Sequence, residues 1–159
     1  MHHFTEFSLC SALQNNLARN EFVTPTPVQA QAIPPLLKGR DVVATAQTGT
    51  GKTLAFAIPI IEALAAVPRS KAIKVLILSP TRELAIQIDA AFRQLAAGMR
   101  IRTAVVVGGL SEARQLRDVK AGAEVVIATP GRLCDYLERR LRSPRPGASR
   151  STTRRRTSS

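Results

Sequence analysis

Short apolar runs rich in Val, Ile and Ala recur along the chain at 41–46, 73–79, 103–107 and 124–129. Longer stretches with helical spacing lie between or after them, at 51–65, 81–97, 110–120 and 130–140. Runs of this kind, apolar on both faces and alternating with helices, predict the strands of a parallel sheet in an α/β layer architecture. Upstream, Leu9, Ala12, Leu13 and Leu17 repeat at helical spacing within 8–20. Thr24-Pro25-Thr26-Pro27 then breaks the chain. Pro27 suits the first turn of a second helix carrying Val28 to Leu37, with Pro34 and Pro35 predicting an irregularity before Lys38-Gly39. No internal repeat is evident.

The periodic pattern stops near residue 140. Of the 19 residues from 141 to 159, 14 are Arg, Ser or Thr and none is acidic. Such a stretch has almost nothing to bury and is expected to be a disordered basic tail. It holds six of the 23 basic residues, so the net charge of +12 falls to +6 on the remainder. That moderate basicity is compatible with a polyanionic partner without requiring one.

The length allows one domain of ordinary size. No apolar run approaches the roughly 18 residues of a membrane span, so no membrane partner is expected. The first residues lack a basic region followed by a hydrophobic stretch, and a cytoplasmic monomer is the expectation. Cys10 and Cys134 match no metal or redox spacing and read as buried or half-buried free thiols. His2 and His3, adjacent at a terminus, carry no ligand signal.

Chemistry enters at Ala46-Gln47-Thr48-Gly49-Thr50-Gly51-Lys52-Thr53, which follows one apolar run and opens a helical stretch. This is a phosphate-binding loop in the right setting. Backbone N–H groups of the Gly-rich turn and the helix N-terminus cradle a nucleoside triphosphate. Lys52 reaches its β/γ-phosphates and the Thr53 hydroxyl is placed to ligate Mg²⁺. Three more turns stand at the carboxyl ends of the predicted strands, where an α/β sheet binds ligands. Pro80-Thr81-Arg82-Glu83 offers a helix N-cap beside an exposed cation. Gly108-Gly109 would let backbone approach a ligand closely. Thr129-Pro130-Gly131-Arg132 combines an N-cap, a Pro at the first helical position and a second cation. Taken singly these are ordinary turns and caps. Two arginines beside free N–H groups at helix starts, however, suit a phosphate chain.

At this point the chain resembles the first part of a DEAD-box ATP-dependent RNA helicase, of the bacterial type. Phe22-Val23-Thr24-Pro25-Thr26-Pro27-Val28-Gln29 is similar to that family's Q motif, with Phe4 as its isolated upstream aromatic. Ala46 to Thr53 matches motif I, Pro80 to Ala85 motif Ia, Gly108-Gly109 the GG motif, and Thr129 to Arg132 motif Ib. Glu21 departs from the Gly common before the aromatic, a difference from which little is expected. The resemblance implies a RecA-like first helicase domain, with 1–38 as an N-terminal helical segment and 39–140 as a partial ATP-binding domain. It implies ATP and Mg²⁺ as cofactors, held by Phe22, Gln29, Thr48, Gly49, Thr50, Gly51, Lys52 and Thr53. Gln29 would hydrogen-bond the adenine edge, and Phe22 would offer it a ring face. Pro80, Thr81, Arg82, Gly108, Gly109, Thr129, Pro130, Gly131 and Arg132 would contact the sugar-phosphate backbone of RNA without reading sequence. With no Trp and one Tyr, base stacking is not expected to add recognition.

The family's next motif, an Asp-Glu-Ala-Asp box, is absent, and no acid follows Glu138. In the family those acids hold Mg²⁺ and orient the attacking water. Lys52 and Thr53 therefore contribute to a catalytic set that is not complete, and the 159-residue chain is expected neither to hydrolyse ATP productively nor to unwind RNA. Without the central strands that such domains place beside the phosphate-loop strand, marginal stability or aggregation is expected. The change of composition near 140 reads as a shifted reading frame or a truncated gene in preference to a genuine basic tail. Two other functions stand beside the helicase fragment. One is a non-catalytic ATP- and RNA-binding module. The other is a different phosphate-loop ATPase such as a DNA helicase, against which Gln29 argues.

Overall fold

The computed structural model describes residues 3–142; the expected tail from 143 onward lies outside the described residues. A 3-10 turn, Phe4–Glu6, leads into α1 (Ser11–Arg19), α2 (Pro27–Leu37) and α3 (Lys52–Ala65). Strands and helices then alternate: β1 (Val75–Leu78), α4 (Arg82–Leu95), β2 (Thr103–Val106), α5 (Glu112–Lys120), β3 (Val125–Ala128) and α6 (Pro130–Arg142).

The strands form one parallel sheet in the order β1-β3-β2. Val125 lies opposite Val75 on one side and Thr103 on the other, and Ala128 lies opposite Leu78 and Val106. Sequence accounts for the order. β3 reads Val-Val-Ile-Ala and is buried throughout, as a strand with partners on both edges must be. β1 alternates, with Leu76 and Leu78 exposed. The core joins the N-terminal helices to the sheet through Phe4, Leu13, Ile33, Ile58, Phe92 and Ile127. Burying a side chain such as Phe92 contributes roughly 1.5–3 kcal/mol. Buried Asn16 locks α1 to the end of α4, its side-chain amide donating to the Leu95 and Ala97 carbonyls, both at 2.8 Å. The Leu95 carbonyl ends α4, which has no further amide of its own to offer it, and Ala97 lies just beyond the cap.

Three expectations are corrected. The apolar run at 41–46 is not a strand: it has no regular structure and pairs with no strand among the described residues. Val43 is 97% exposed. A cavity of about 410 Å³ lies between this run and the sheet, lined by Val42 and Ala44 and by Ile77 and Leu78 of β1. The run has strand composition, but a strand needs a neighbour at hydrogen-bonding distance, and β1 stands across that cavity. Next, α2 ends at Leu37 as expected, but it runs through Pro34 and Pro35 without the expected irregularity. Each proline forgoes one amide bond, a loss confined here to the last turn and a half. Finally, Cys134 is exposed, whereas Cys10 is half-buried and held near α3 by a bond from its backbone amide to Glu62 at 2.9 Å. Desolvation pushes the Cys10 thiol up, with a backbone hydrogen bond at Leu13 opposing, so it stays protonated at neutral pH.

The end of α1 gives Glu21 a significance its composition did not suggest. The Glu21 amide donates to the Ala18 carbonyl at 3.0 Å and the Phe22 amide to the Leu17 carbonyl at 2.9 Å. This is a left-handed helix stop, and Glu21 occupies its positive-φ position at +59°. A side chain there costs about 1 kcal/mol that glycine avoids. Glu21→Gly is therefore expected to raise the urea midpoint, gaining about 1 kcal/mol. An unchanged or lowered midpoint contradicts this reading.

Candidate phosphate-binding site

The phosphate loop is held from outside itself. Thr26 and Gln29 sit at the start of α2, where the Thr26 amide donates to Gln29 Oε1 at 2.9 Å. That reciprocal cap holds the Gln29 amide in place, 3% exposed, with its Nε2 donating to the Gly51 carbonyl at 3.1 Å. Thr26 Oγ1 donates to the Thr50 carbonyl at 2.8 Å. Two neighbouring carbonyls of the loop are thus tied to one helix start. Gly49 and Gly51 take φ of +83° and +86°, where glycine is favoured. At Gly51 a Cβ would lie 2.3 Å from Gln29 Nε2, so the missing side chain makes room for the glutamine.

The loop leads into α3 with Gly51 as N-cap, and no side chain caps this helix. By contrast, Thr81 caps α4 by accepting from the Leu84 amide at 3.2 Å, and Ser111 caps α5 by accepting from that of Arg114. First-turn amides have no acceptor inside their own helix. The α3 start therefore presents bare N–H groups and the positive end of a helix dipole. Lys52 is exposed and folds back, its Nζ donating to the Ala46 carbonyl. Thr53 lies half-buried beside it on the cavity that Val42 and Ile77 also line. Among the described residues no group of three His, Cys, Asp or Glu could hold a metal. The donor set at the loop fits a cation carried in by phosphate oxygens with one hydroxyl ligand, and does not fit a metal held by protein alone. Thr48 and Gly49 are exposed on the rim. Phe22 is half-buried against the core, and its small cavity of about 160 Å³ is shared with Phe4, Leu17 and Val23 and with no loop residue.

The second set of residues gathers at the carboxyl ends of β1, β2 and β3. Because the strands are parallel, the turns that follow them emerge at one end of the sheet. Pro80, Thr81, Arg82, Gly108, Gly109, Pro130 and Gly131 are exposed there, and Thr129 and Arg132 are half-buried. The Ser79 hydroxyl donates to the Thr81 carbonyl at 3.1 Å, and the Thr129 amide to the Val106 carbonyl at 3.1 Å. A Cβ on Gly109, where φ is +77°, would fall 2.6 Å from Arg82 Nη1. The glycine therefore admits an arginine from the neighbouring turn. Sequence reasoning passed over Gln115, whose buried amide donates to the Val107 carbonyl at 2.8 Å and so fixes the turn through Gly108 and Gly109. It also passed over Glu112. This carboxylate accepts from Arg132 Nη2 at 3.1 Å and from Arg139 Nη1 at 2.9 and 2.8 Å. Desolvation pushes the Glu112 carboxyl up, but the hydrogen bonds from Arg132 and Arg139 outweigh it and hold the group below its ordinary 4.5. The depressed value keeps these pairs intact above the ordinary carboxylate range; they are lost as pH falls through the lowered value. Only knowledge of which helices pack together could have shown Glu112 beside Arg132.

A profile of the DEAD/DEAH box helicase family matches residues 26–149, most of the chain. The chain belongs to that family. Related proteins include the ATP-dependent rRNA helicase RRP3 of the yeast Lodderomyces elongisporus, 46% identical over 135 residues. That match covers 85% of this chain and 26% of RRP3. The ATP-dependent RNA helicase DRS1 of the same yeast is 47% identical, over 84% of this chain and 20% of its own length. Among solved structures, the ADP-bound RNA helicase Prp28 of Chaetomium thermophilum superposes with a TM-score of 0.82 at 39% identity, covering 89% of this chain and 35% of that one. A DEAD box protein of the hyperthermophile Methanococcus jannaschii gives 0.80 at 36%, over 87% and 38%. The chain spans about a quarter of the length of the curated relatives it matches. These relatives come from yeasts and the solved structures from a fungus and an archaeon, so the bacterial subgroup draws no support from them. Their domains are α/β with a parallel sheet, the class expected from the sequence.

Gly51→Ala tests the packing at the loop. It forces a Cβ against Gln29 at a left-handed position, and a stability loss of about 1–3 kcal/mol is expected. Chemical denaturation reads it. A loss no larger than that from Gly39→Ala, where φ is +70° but no atom lies within 4 Å, would leave Gln29 out of the account.

Proposed function

We propose that this chain is the ATP-loading and RNA-gripping part of an ATP-dependent RNA helicase. The observation that carries the proposal is the tie between Gln29 and Gly51. One amide reaches the phosphate loop through one of its two N–H groups and the Thr26 amide through one lone pair. A second N–H and a second lone pair remain, which is the pair of functions that the adenine edge requires. Gln29 thereby links adenine recognition to loop shape. Lys52 leaves the Ala46 carbonyl to pair with β/γ-phosphate oxygens, Thr48 to Gly51 offer backbone amides, and Thr53 supplies one oxygen to the Mg²⁺ that accompanies the nucleotide.

The exposed turns at the sheet end grip RNA. Arg82 and Arg132 supply cations, while Thr81, Gly109, Thr129 and Gly131 let phosphate oxygens meet side-chain hydroxyls and backbone amides. Pro80, Gly108 and Pro130 shape the turns. Such contacts position a strand without reading bases, so RNA of many sequences binds alike. Chemistry asks for more than these residues hold. Phosphoryl transfer needs acidic groups to hold Mg²⁺ and to orient the attacking water, and no acid follows Glu138. In this reading the residues present bind ATP and single-stranded RNA, as a single copy in the cytoplasm, and the acids for turnover are not among them.

Lys52→Ala removes a charge-assisted contact worth about 1.5–3 kcal/mol and is expected to weaken ATP at least tenfold, leaving RNA binding unchanged. Arg132→Ala should do the reverse, lowering the slope of log affinity against log salt by about 0.7 for single-stranded RNA. Fluorescent-nucleotide titration and RNA anisotropy separate the two. Equal affinity for ATP and GTP would favour a different phosphate-loop ATPase.

A further inference from the structure

We propose that Glu112 is a counter-ion gate on the RNA grip: it holds Arg132 back from the phosphate path and hands it over because Arg139 stays to neutralise the carboxylate. The proposal rests on the RNA reading of Arg132 given above.

Three observations converge. Glu112 opens α5 shortly after the Gly108-Gly109 turn, Arg132 stands in the first turn of α6, which begins at Pro130, and the 3.1 Å ion pair bridges the two helix starts. The pair therefore lies inside the exposed surface that would meet RNA. Arg132 is also incompletely satisfied as it stands. Its side chain is only 17% exposed, and its Nε is buried without a hydrogen-bond partner. A buried donor left unmade is a cost that a phosphate oxygen could relieve, so the paired pose is a holding position. Lastly, Glu112 has two cations. Arg139 stands seven residues after Arg132 on α6, two turns on along the same face, and places Nη1 against both carboxylate oxygens at 2.9 and 2.8 Å. When Arg132 swings to a phosphate, Glu112 keeps a full positive partner. Without Arg139, release of Arg132 would strand the carboxylate beside an approaching polyanion.

This arrangement predicts a specific pattern of coupling. Glu112→Gln keeps the shape of the side chain and frees Arg132. Asp118→Asn, an exposed acid on the same helix, makes the same change of net charge away from the pair and serves as the control. Arg139→Ala leaves Arg132 as the sole counter-ion of Glu112. Affinity for a single-stranded homopolymeric RNA is measured by anisotropy on the full 159-residue chain, with circular dichroism confirming that each variant folds like the parent.

Expected are a gain of about three- to fivefold for Glu112→Gln beyond that of Asp118→Asn, and a loss of similar size for Arg139→Ala. That loss should shrink to little in the Glu112→Gln background, since no carboxylate remains to reclaim Arg132. Glu112→Gln indistinguishable from Asp118→Asn would overturn the gate. So would an Arg139→Ala loss of the same size in both backgrounds, which would mark Arg139 as one more surface charge. If Arg132→Ala itself leaves RNA affinity unchanged, Arg132 is no RNA contact, and the reading beneath the gate fails before it.

Discussion

The start of α2 is fastened to two consecutive carbonyls of the phosphate loop, and the rest of the site depends on that fastening. Thr26 holds Thr50, Gln29 holds Gly51, and Gln29 is itself oriented by the Thr26 amide. Each bond contributes about 0.5–1.5 kcal/mol net, a modest sum. Their larger effect is geometric. A Gly-rich loop is flexible, and it must present several amides in one direction before a phosphate can use them. Fastening its carbonyls to a rigid helix start orients the intervening peptide planes in advance. The same glutamine amide keeps a donor and an acceptor in reserve, and in the proposed function these read the base, joining base selection to loop order in a single side chain.

A related economy appears at the other end of the sheet. Parallel pairing delivers three turns to one end of the sheet, and there glycine is used to seat a neighbour's side chain, as Gly109 seats Arg82. Gln115 and Ser79 then fix turn backbones from below. Cations at this end are not all free. Arg132 and Arg139 share Glu112, whereas Arg82 has no acidic partner within ion-pair distance among the described residues. Charge counting along the chain overstates what is immediately available to a polyanion.

Much of this was legible in the sequence, and the failures have physical causes. The alternation of runs and helices from 73 onward, the Thr81 cap and Pro130 at a helix start are local signals, and they stand where the residues put them. The run at 41–46 has the composition of a buried strand, but strand formation is decided by a neighbour distant in sequence, and the cavity beside β1 marks where pairing is missing. Gly51 and Gly109 announce close approach without saying of what; at both positions the approaching group is a side chain of this chain. Glu21 looked like a harmless departure because the left-handed stop at the end of α1 is visible only once the helix has an end. Glu112 and Arg132 are twenty positions apart on different helices, and their pairing is a consequence of packing alone.

The most direct measurement compares the affinity of the folded chain for ADP and for base-free tripolyphosphate, each in the parent and in Gln29→Ala. If one amide both orders the loop and reads the base, the substitution weakens both ligands, and ADP more than tripolyphosphate. Loss of ADP affinity with tripolyphosphate binding untouched would contradict the account, since Gln29 would then serve the base alone and the loop would hold its shape without it.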